Sequence, residues 1–361
     1  VLDFLVVGAG PSGSYVSALL AHMGFSVMIV DPKDEIGIPN HCSGLVDRRV
    51  VDIVGEDLVI DRPSSATVFT PSGSLTLKSE RMYVLDRISL DRKLAEKAQS
   101  EGATLQKRTM LIALKQERGV VVSQIKKGSS IESIESRYVI GADGPTSLVR
   151  RLLGFPRPKV LRSIQYDVRK KSHSVAIHLD RRVLKDFFAW EIPHGEETEI
   201  GASGQGSLEM ISLLARNEEI VRKRGGVIPV GDVAPGSGNC FLVGDAAGMN
   251  KATTGGGLYG SLVSGNSLAT AIAKEGDARE YGKLLLKGFG REIKRSIIIR
   301  NVLDFAEKYY GLWIPMARRN VRGINMVGDV DYPSKAFLYL IANAPLSFPL
   351  ALSDIVKNFS P

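Results

Sequence analysis

The sequence predicts an α/β fold: a parallel-sheet domain, an inserted antiparallel β-sheet lobe and a C-terminal helical region. Three observations carry this. Apolar strands at Leu5–Val7, Tyr138–Ile140 and Asn239–Val243 each run into a glycine turn, as buried parallel strands do. Residues alternate at Ala66–Thr70, Ser74–Leu77 and Ser174–Leu179, which favours antiparallel strands. From Asp277 onward the pattern is largely helical, with a strongly apolar stretch at Ala336–Leu350 interrupted by Pro345 and Pro349. That stretch reads as a helix packed on the core; the other reading is a surface that touches lipid.

The chain has 361 residues, 44% of them hydrophobic and 24% charged, which allows two lobes around ordinary cores. It has no tract of about 18 uninterrupted apolar residues, so no membrane span is expected. Leu2–Val7 passes straight into a glycine turn and reads as a strand, with no secretory signal. Cys42 and Cys240 lie far apart without metal-type spacing. They argue for a reducing, cytoplasmic compartment and against a disulfide framework. The five histidines form no H-x-x-x-H pattern, so no metal is expected. A net charge of +8 favours anionic partners such as phosphate groups or acidic lipid headgroups. Its clusters, Arg169–Lys171, Arg222–Arg224 and Arg318–Arg319, read as solvated surface. No nucleic-acid module accompanies them.

The first turn is Gly8-Ala-Gly10-Pro-Ser12-Gly13, followed by a helical pattern over Val16–Met23 and a second strand over Phe25–Val30. Strand, turn, helix and strand in this order are what a dinucleotide fingerprint requires. Gly8 allows the tight turn, Gly10 lets backbone N–H groups approach a pyrophosphate, and Gly13 lets the helix pack close. Asp31 ends the second strand, where a carboxylate can accept hydrogen bonds from ribose hydroxyls. The loop Gly37–Leu45 (GIPNHCSGL) sets His41 beside Cys42. It reads either as a surface loop with an inert thiol or as a loop that meets a cofactor.

The second turn, Asp143-Gly144-Pro-Thr-Ser147-Leu-Val-Arg150, closes a strand where an open α/β sheet offers its ligand crevice, with Ser147 a helix cap. The third, Gly244-Asp245-Ala-Ala-Gly248, supplies an Asp able to bind a polyol. Gly255-Gly256-Gly257 then open a helix over Leu258–Ala273. A flat ring can lie against such a backbone, and the helix N-terminus faces negative charge on a reduced flavin. Together the turns describe a pocket closed around one large cofactor, FAD.

These residues resemble the flavoprotein group that includes para-hydroxybenzoate hydroxylase. Within it they resemble the geranylgeranyl reductases, especially the archaeal digeranylgeranylglycerophospholipid reductase type. The likeness runs from about Leu2 to Ala273. It rests on the Pro39–Leu45 loop, on Leu85-Asp86-Arg87 with Leu90–Leu94, on Phe188-Ala-Trp190-Glu-Ile192-Pro193 with Gly201, and on Gly225–Pro229. The resemblance implies FAD contacts at Ser12, Asp31, Cys42, Ser43, Leu45, Arg87, Asp245, Gly257 and Leu258, with Leu111 beside the adenine and Arg92 an alternative to Arg87. It implies an apolar substrate channel at Phe188, Trp190 and Pro193. Two departures stand out: Ala252 replaces the family's proline, and the aromatic motif ends Gly201-Ala-Ser203.

The function implied is an FAD-dependent reductase of isoprenoid C=C bonds in membrane ether-lipid biosynthesis. Its electrons would come from ferredoxin or NAD(P)H, and it would touch the membrane peripherally. Cys42 is the candidate catalytic group, against a plain packing role. A flavin monooxygenase or halogenase of the same fold is the rival, although no lysine stands out as a halogenase lysine. A non-catalytic prenyl-lipid carrier is the third reading, opposed by the retained Gly-Asp and triple-glycine elements. The expected FAD-binding domain is 1–60, 84–155 and 228–275. Residues 61–83 and 156–227 form the substrate lobe, and 276–361 the helical region.

Overall fold

The computed structural model describes residues 1–275, 277–306 and 310–343. β1 (Leu2–Val7) passes through the first glycine turn into α1 (Pro11–His22) and returns as β2 (Val27–Val30). β3 (Leu45–Asp47), α2 (Arg48–Val54), β4 (Val59–Asp61), β5 (Ser65–Thr70), β6 (Gly73–Lys78) and β7 (Met82–Leu85) precede α3 (Arg87–Ser100). β8 (Thr104–Gln106), β9 (Thr109–Gln116), β10 (Val121–Lys127) and β11 (Ser130–Gly141) lead to α4 (Leu148–Leu152). A second excursion comprises β12 (Lys159–Val168), β13 (Val175–His178), β14 (Ala189–His194), β15 (Glu197–Ser203), α5 (Ser207–Leu214) and β16 (Ile220–Val230). β17 (Gly236–Ser237), β18 (Cys240–Leu242) and α6 (Leu258–Ala273) follow. Then come α7 (Ala278–Lys287), α8 (Gly290–Ala306), α9 (Tyr310–Arg319), α10 (Val321–Val327) and α11 (Ser334–Ala342).

An eight-stranded sheet carries the order β17-β18-β11-β1-β2-β8, with β10 and β9 branching from β11. Its centre, β18-β11-β1-β2-β8, is parallel. Phe4, Leu5, Val6, Ile29, Val30, Val139 and Ile140 are fully buried there, because helices cover these strands. α1 packs against both α3 and α6, and small residues such as Ser14, Ser17 and Ala18 are among those it buries. A methyl group on Gly13 would collide with the Gly8 carbonyl, so this close helix–strand approach requires glycine.

The lobe is a seven-stranded sheet, β16-β12-β15-β14-β13-β5-β6. All its pairs are antiparallel except β13–β5, which is parallel. The lobe is thus the expected antiparallel sheet with one parallel pair inside it. β5 and β13 belong to two separate excursions of the chain, so no hairpin fixes their relative direction. A small third sheet, β3-β7-β4, lies between the two strand sets.

Among the described residues, the chain from Ala278 onward is largely helical. Ala336, Tyr339 and Leu340 of α11 pack with Leu75 of β6 and with Ile314, Ala317 and Ile324 of α9 and α10. This agrees with the packed-helix reading for the start of the apolar stretch; 344–350 lie outside the described residues. The segment 329–335 is tied down by charge. Arg49 of α2 holds both carboxylate oxygens of Asp329 at 2.8 Å, and Lys251 pairs with Asp331 at 3.0 Å. No described helix is long and apolar enough to cross a membrane.

Candidate active site

The three glycine turns converge at the carboxyl ends of β1, β11 and β18. Gly8 has a φ of 109° and lies against Ala142 and Asp143, just past β11. Gly244 lies against Ser12 and Ser261, and its N–H donates to Ser264 Oγ at 2.9 Å. Gly10, at the N-cap of α1, has no heavy atom near the place its Cβ would occupy. Its open side at a helix N-terminus suits a phosphate.

Asp31 is buried at the end of β2. Its Oδ2 accepts from Ala9 N at 2.7 Å and its Oδ1 from Lys33 N at 2.8 Å, so the carboxylate holds the glycine turn itself. Thr109 N donates to the Asp31 carbonyl, which sets buried Leu111, two residues on, near this strand end. Asp143 acts locally. Its carboxylate accepts from Ser147 Oγ and from the N–H groups of Leu148 and Val149, capping α4. Ser147 caps the same helix through Arg150 N, as its position in the motif suggests. Burial pushes the Asp143 carboxyl above its ordinary pKa.

Arg150 closes this signature with an unexpected role. Its buried guanidinium donates to three carbonyls: Pro156 through Nε at 2.8 Å, Ala246 through Nη1 at 3.1 Å and Asp232 through Nη2 at 3.1 Å. The second signature therefore props up the third.

At the far end, half-buried Asp245 lies against Gly257, the N-cap of α6. Burial raises its pKa, while a hydrogen bond from Asn250 and the charge of Arg87 pull it back. Arg87, the first residue of α3, donates to Asp91 Oδ1 at 2.9 Å and lies in hydrogen-bonding reach of the Cys42 thiol. Arg92 instead pairs with Glu35 on the exposed side of α3, so Arg87 is the arginine that faces the site. Arg87 Nε and Asn250 Oδ1 are buried with no hydrogen-bond partner among the described residues. Orphaned polar atoms around the Asp245 carboxylate fit a large polar cofactor.

The Cys42 loop is gripped on three sides. Gly44 pairs with Leu85, the Ser43 carbonyl meets His194 Nε2 at 2.7 Å, and the His41 carbonyl accepts from Gln165 Nε2 at 3.3 Å. Leu45 starts β3 against Val84. Burial, then nearby Lys33, lowers the His41 pKa, which favours the neutral ring. Cys240 is buried in β18, and burial pushes its thiol up to about 12, so it is inert. The described residues contain no group of three or more His, Cys, Asp or Glu able to hold a metal ion.

The lobe's inner face covers these loops. Gly226 abuts His41, and Gly255 meets Ile228 and Phe187. Trp190 packs with Ile192, Val175, Met82 and Val84, and Phe188 sits at its edge 5.9 Å away, while Pro193 is buried in β14. The Trp190 indole lies flat over Gly201 and donates to Glu199 Oε1 at 2.8 Å. A methyl at Gly201 would collide with the indole ring. Gly201→Ala is therefore expected to cost about 2 kcal/mol. The double variant with Trp190→Phe should recover part of that loss, giving a non-additive cycle in urea melts.

The sequence reading missed Lys251. It is buried, with its Nζ bound to the Val330 carbonyl at 2.9 Å and to Asp331, and its stem backs Gly256. Its partner lies 80 residues away, so no local pattern announces it.

Parallel strands ending in a phosphate-ready turn, a half-buried polyol-ready Asp and a covering lobe define a nucleotide-binding flavoprotein. The FAD binding domain family matches residues 2–185, and FAD is the cofactor. The chain belongs to the geranylgeranyl reductase family of flavoproteins. It is 30% identical over 308 residues to a digeranylgeranylglycerophospholipid reductase of Methanosphaerula palustris, covering 76% of each chain. It is 29% identical over 364 residues to a geranylgeranyl diphosphate reductase of Rhodobacter capsulatus, covering 93% of this chain and 90% of that one. The fold matches a geranylgeranyl bacteriochlorophyll reductase-like structure from Thermoplasma acidophilum with a TM-score of 0.82 at 21% identity, over 94% of this chain and 98% of that one. It also matches a flavin-dependent brominase with a TM-score of 0.75 at 14% identity, over 99% of both chains.

Proposed function

We propose that this chain is an FAD-dependent oxidoreductase that saturates C=C bonds of isoprenoid, geranylgeranyl-type chains in membrane ether-lipid biosynthesis. The observation that carries this is the apolar lobe face laid directly over the cofactor loops, with Ile228 and Phe187 on Gly255 and with Trp190, Ile192 and Val175 beside them. An isolated alkene is a poor hydride acceptor and must be held tightly over the ring, which such a wall achieves.

In this reading Gly8, Gly10, Ser12 and Gly13 hold the pyrophosphate. Asp31 and Leu111 lie at the adenosine end. Arg87, Asp245, Gly257 and Leu258 hold the ribityl and ring end. Asp143 acts through α4, which aims Arg150 at the third turn. Cys42, Ser43 and Leu45 line the ring from the loop side, with Arg87 positioning the Cys42 thiol. Phe188, Trp190 and Pro193 shape the channel. FAD supplies the hydride when bound.

Electrons come from an external donor, ferredoxin or NAD(P)H. The net charge of +8 draws the protein to anionic headgroups, where it meets its lipid peripherally. The halogenase reading needs a lysine available in the tunnel. Lys251, a buried lysine beside the triple glycine, is instead bound to Asp331.

The test is anaerobic incubation of dithionite-reduced holoprotein with isoprenoids, followed by product mass. A gain of about two mass units per saturated bond is expected. Unchanged isoprenoids, with substrate-linked oxygen uptake on admitting air, would overturn the reductase reading in favour of a monooxygenase or halogenase.

A further inference from the structure

Between Ala278 and Arg300, α7 and the first part of α8 carry seven Lys and Arg against two anions, Glu280 and Glu292. On α8 the residues divide cleanly by face. Glu292, Ile293, Ser296 and Ile299 are buried, and Arg291, Lys294, Arg295 and Ile298 are exposed on the opposite side. Both anions are already engaged: Glu292 is turned inward onto Ser334, and Glu280 lies 3.5 Å from Lys283. Arg291, Lys294 and Arg295 have no ion-pair partner among the described residues, nor does Lys287, just across the two-residue link to α7.

A charge run of this kind is ordinarily solvated surface. The position of this one is unusual, because the inner side of the same helix holds the loop that leads to the triple glycine. Ala252 N donates to Ser296 Oγ at 2.9 Å, and Arg300 Nη1 donates to the Ala252 carbonyl at 3.1 Å. Arg300 also reaches the Asp186 carbonyl and covers the Phe187 ring, which itself meets Gly255. The outward face of α8 therefore stands one helix diameter, about 10–12 Å, from the loop proposed to carry the flavin ring.

That thickness separates the kinds of donor the face can serve. A hydride donor such as NAD(P)H must touch the ring, and the outer side of a helix is convex and encloses no dinucleotide. Single electrons cross a layer of packed protein without a channel, so a carrier protein docked outside α8 is near enough. Ile298 is 63% exposed, with Lys294 and Arg295 one turn before it and Arg291 two turns before it. It gives the face an apolar centre beside charge, as protein interfaces have. A lipid surface asks for more, because an interfacial helix buries a broad apolar face.

We propose that the outward face of α8, formed by Arg291, Lys294, Arg295 and Ile298, is the docking site of an acidic one-electron carrier protein of the ferredoxin type. The site rests on the flavoprotein reductase reading and chooses between its two electron donors. Two reduced carriers dock in turn and each is oxidised by one electron. FAD takes both electrons and one proton from solvent, and so holds the hydride equivalent that the alkene receives. Charge attraction drives the encounter, as it does at the small, short-lived interfaces of electron transfer.

The test uses the FAD-loaded full chain, an acidic [4Fe–4S] ferredoxin as the probe and two variants of equal net charge. Arg291→Glu/Arg295→Glu reverses the face, and Lys126→Glu/Lys127→Glu reverses two exposed lysines of the β10–β11 hairpin. Calorimetric titration with oxidised ferredoxin reads binding, and anaerobic stopped flow with reduced ferredoxin reads flavin bleaching. The face variant should lose about tenfold in both at low salt, while the hairpin variant and dithionite-driven bleaching stay at wild-type values. Ile298→Ser should slow bleaching and leave its salt dependence unchanged. Wild-type bleaching should slow as salt is raised. The salt series needs only wild-type protein, so it stands where a variant fails to fold. A salt-independent rate, a ferredoxin that neither binds nor bleaches, or equal losses in the two double variants would overturn the site. So would faster bleaching by NADPH than by ferredoxin. A face variant that keeps its ferredoxin rate but no longer sediments with phosphatidylglycerol vesicles would make the face a membrane contact instead. Ferredoxin-driven bleaching that the face variant slows, with no mass gain in any isoprenoid, would leave the docking site standing and remove the reductase reading.

Discussion

Arg150→Met is expected to lower stability by about 3 kcal/mol or more and to weaken FAD binding by about tenfold, although Arg150 is not among the proposed FAD contacts. The substitution keeps most of the buried volume but removes the donors to Pro156, Ala246 and Asp232 carbonyls. Each carbonyl is then left in the interior without that partner, and such losses are among the larger single-residue costs. Two of the three lie at or beside the third glycine turn, and Gly248 packs against the Asp232 carbonyl. Loosening them shifts the turn that carries Asp245. Arg150→Lys tests the geometry: a point-like ammonium cannot reach three diverging carbonyls as a planar fork can, so it should recover less than half the loss. Urea melts of the apoprotein and a fluorescence titration with FAD read the two effects separately. Full recovery by lysine would mean that charge, not the fork, is what matters.

This role marks where sequence reading stops. The glycine turns were legible because each follows an apolar strand, and Gly8 and Gly13 must be glycine where backbones nearly touch. Ser147 was legible as a cap because its partner, Arg150 N, lies three residues away. The triple glycine marked the start of α6 for the same local reason. Arg150 was visible as part of a motif, but its carbonyl partners at Asp232 and Ala246 lie 82 and 96 residues on, and a carbonyl leaves no trace in a side-chain pattern. The Lys251–Asp331 and Arg224–Glu199 pairs are likewise products of tertiary pairing. Strand alternation, which is the same for either direction, could not foretell that β13 runs parallel to β5.

Asp245→Asn is expected to move stability and cofactor affinity in opposite directions. Burial raises the pKa of this carboxyl above its ordinary value despite the Asn250 hydrogen bond and the charge of Arg87. A carboxyl whose folded pKa lies above its unfolded value binds its proton more tightly when folded. The stability this gives is fully present below the unfolded pKa and is lost as pH rises through the folded one. Above the folded pKa the apoprotein therefore carries an ionised group in a poorly hydrated place, and the neutral, isosteric amide removes that cost. The variant apoprotein should gain on wild type as pH rises through the carboxyl's folded pKa, with the difference shrinking as pH falls below it. FAD affinity should fall by about ten- to a hundredfold, because an amide replaces a charged acceptor for the proposed ribityl hydroxyls. Melting from pH 4 to 8 alongside FAD titration checks both signs. A variant that loses apoprotein stability at pH 8 would mean that the carboxylate is held mainly by Asn250 and Arg87 as structure. A gain with weakened FAD would mean that the buried charge is kept for the ligand, at a cost the empty fold bears.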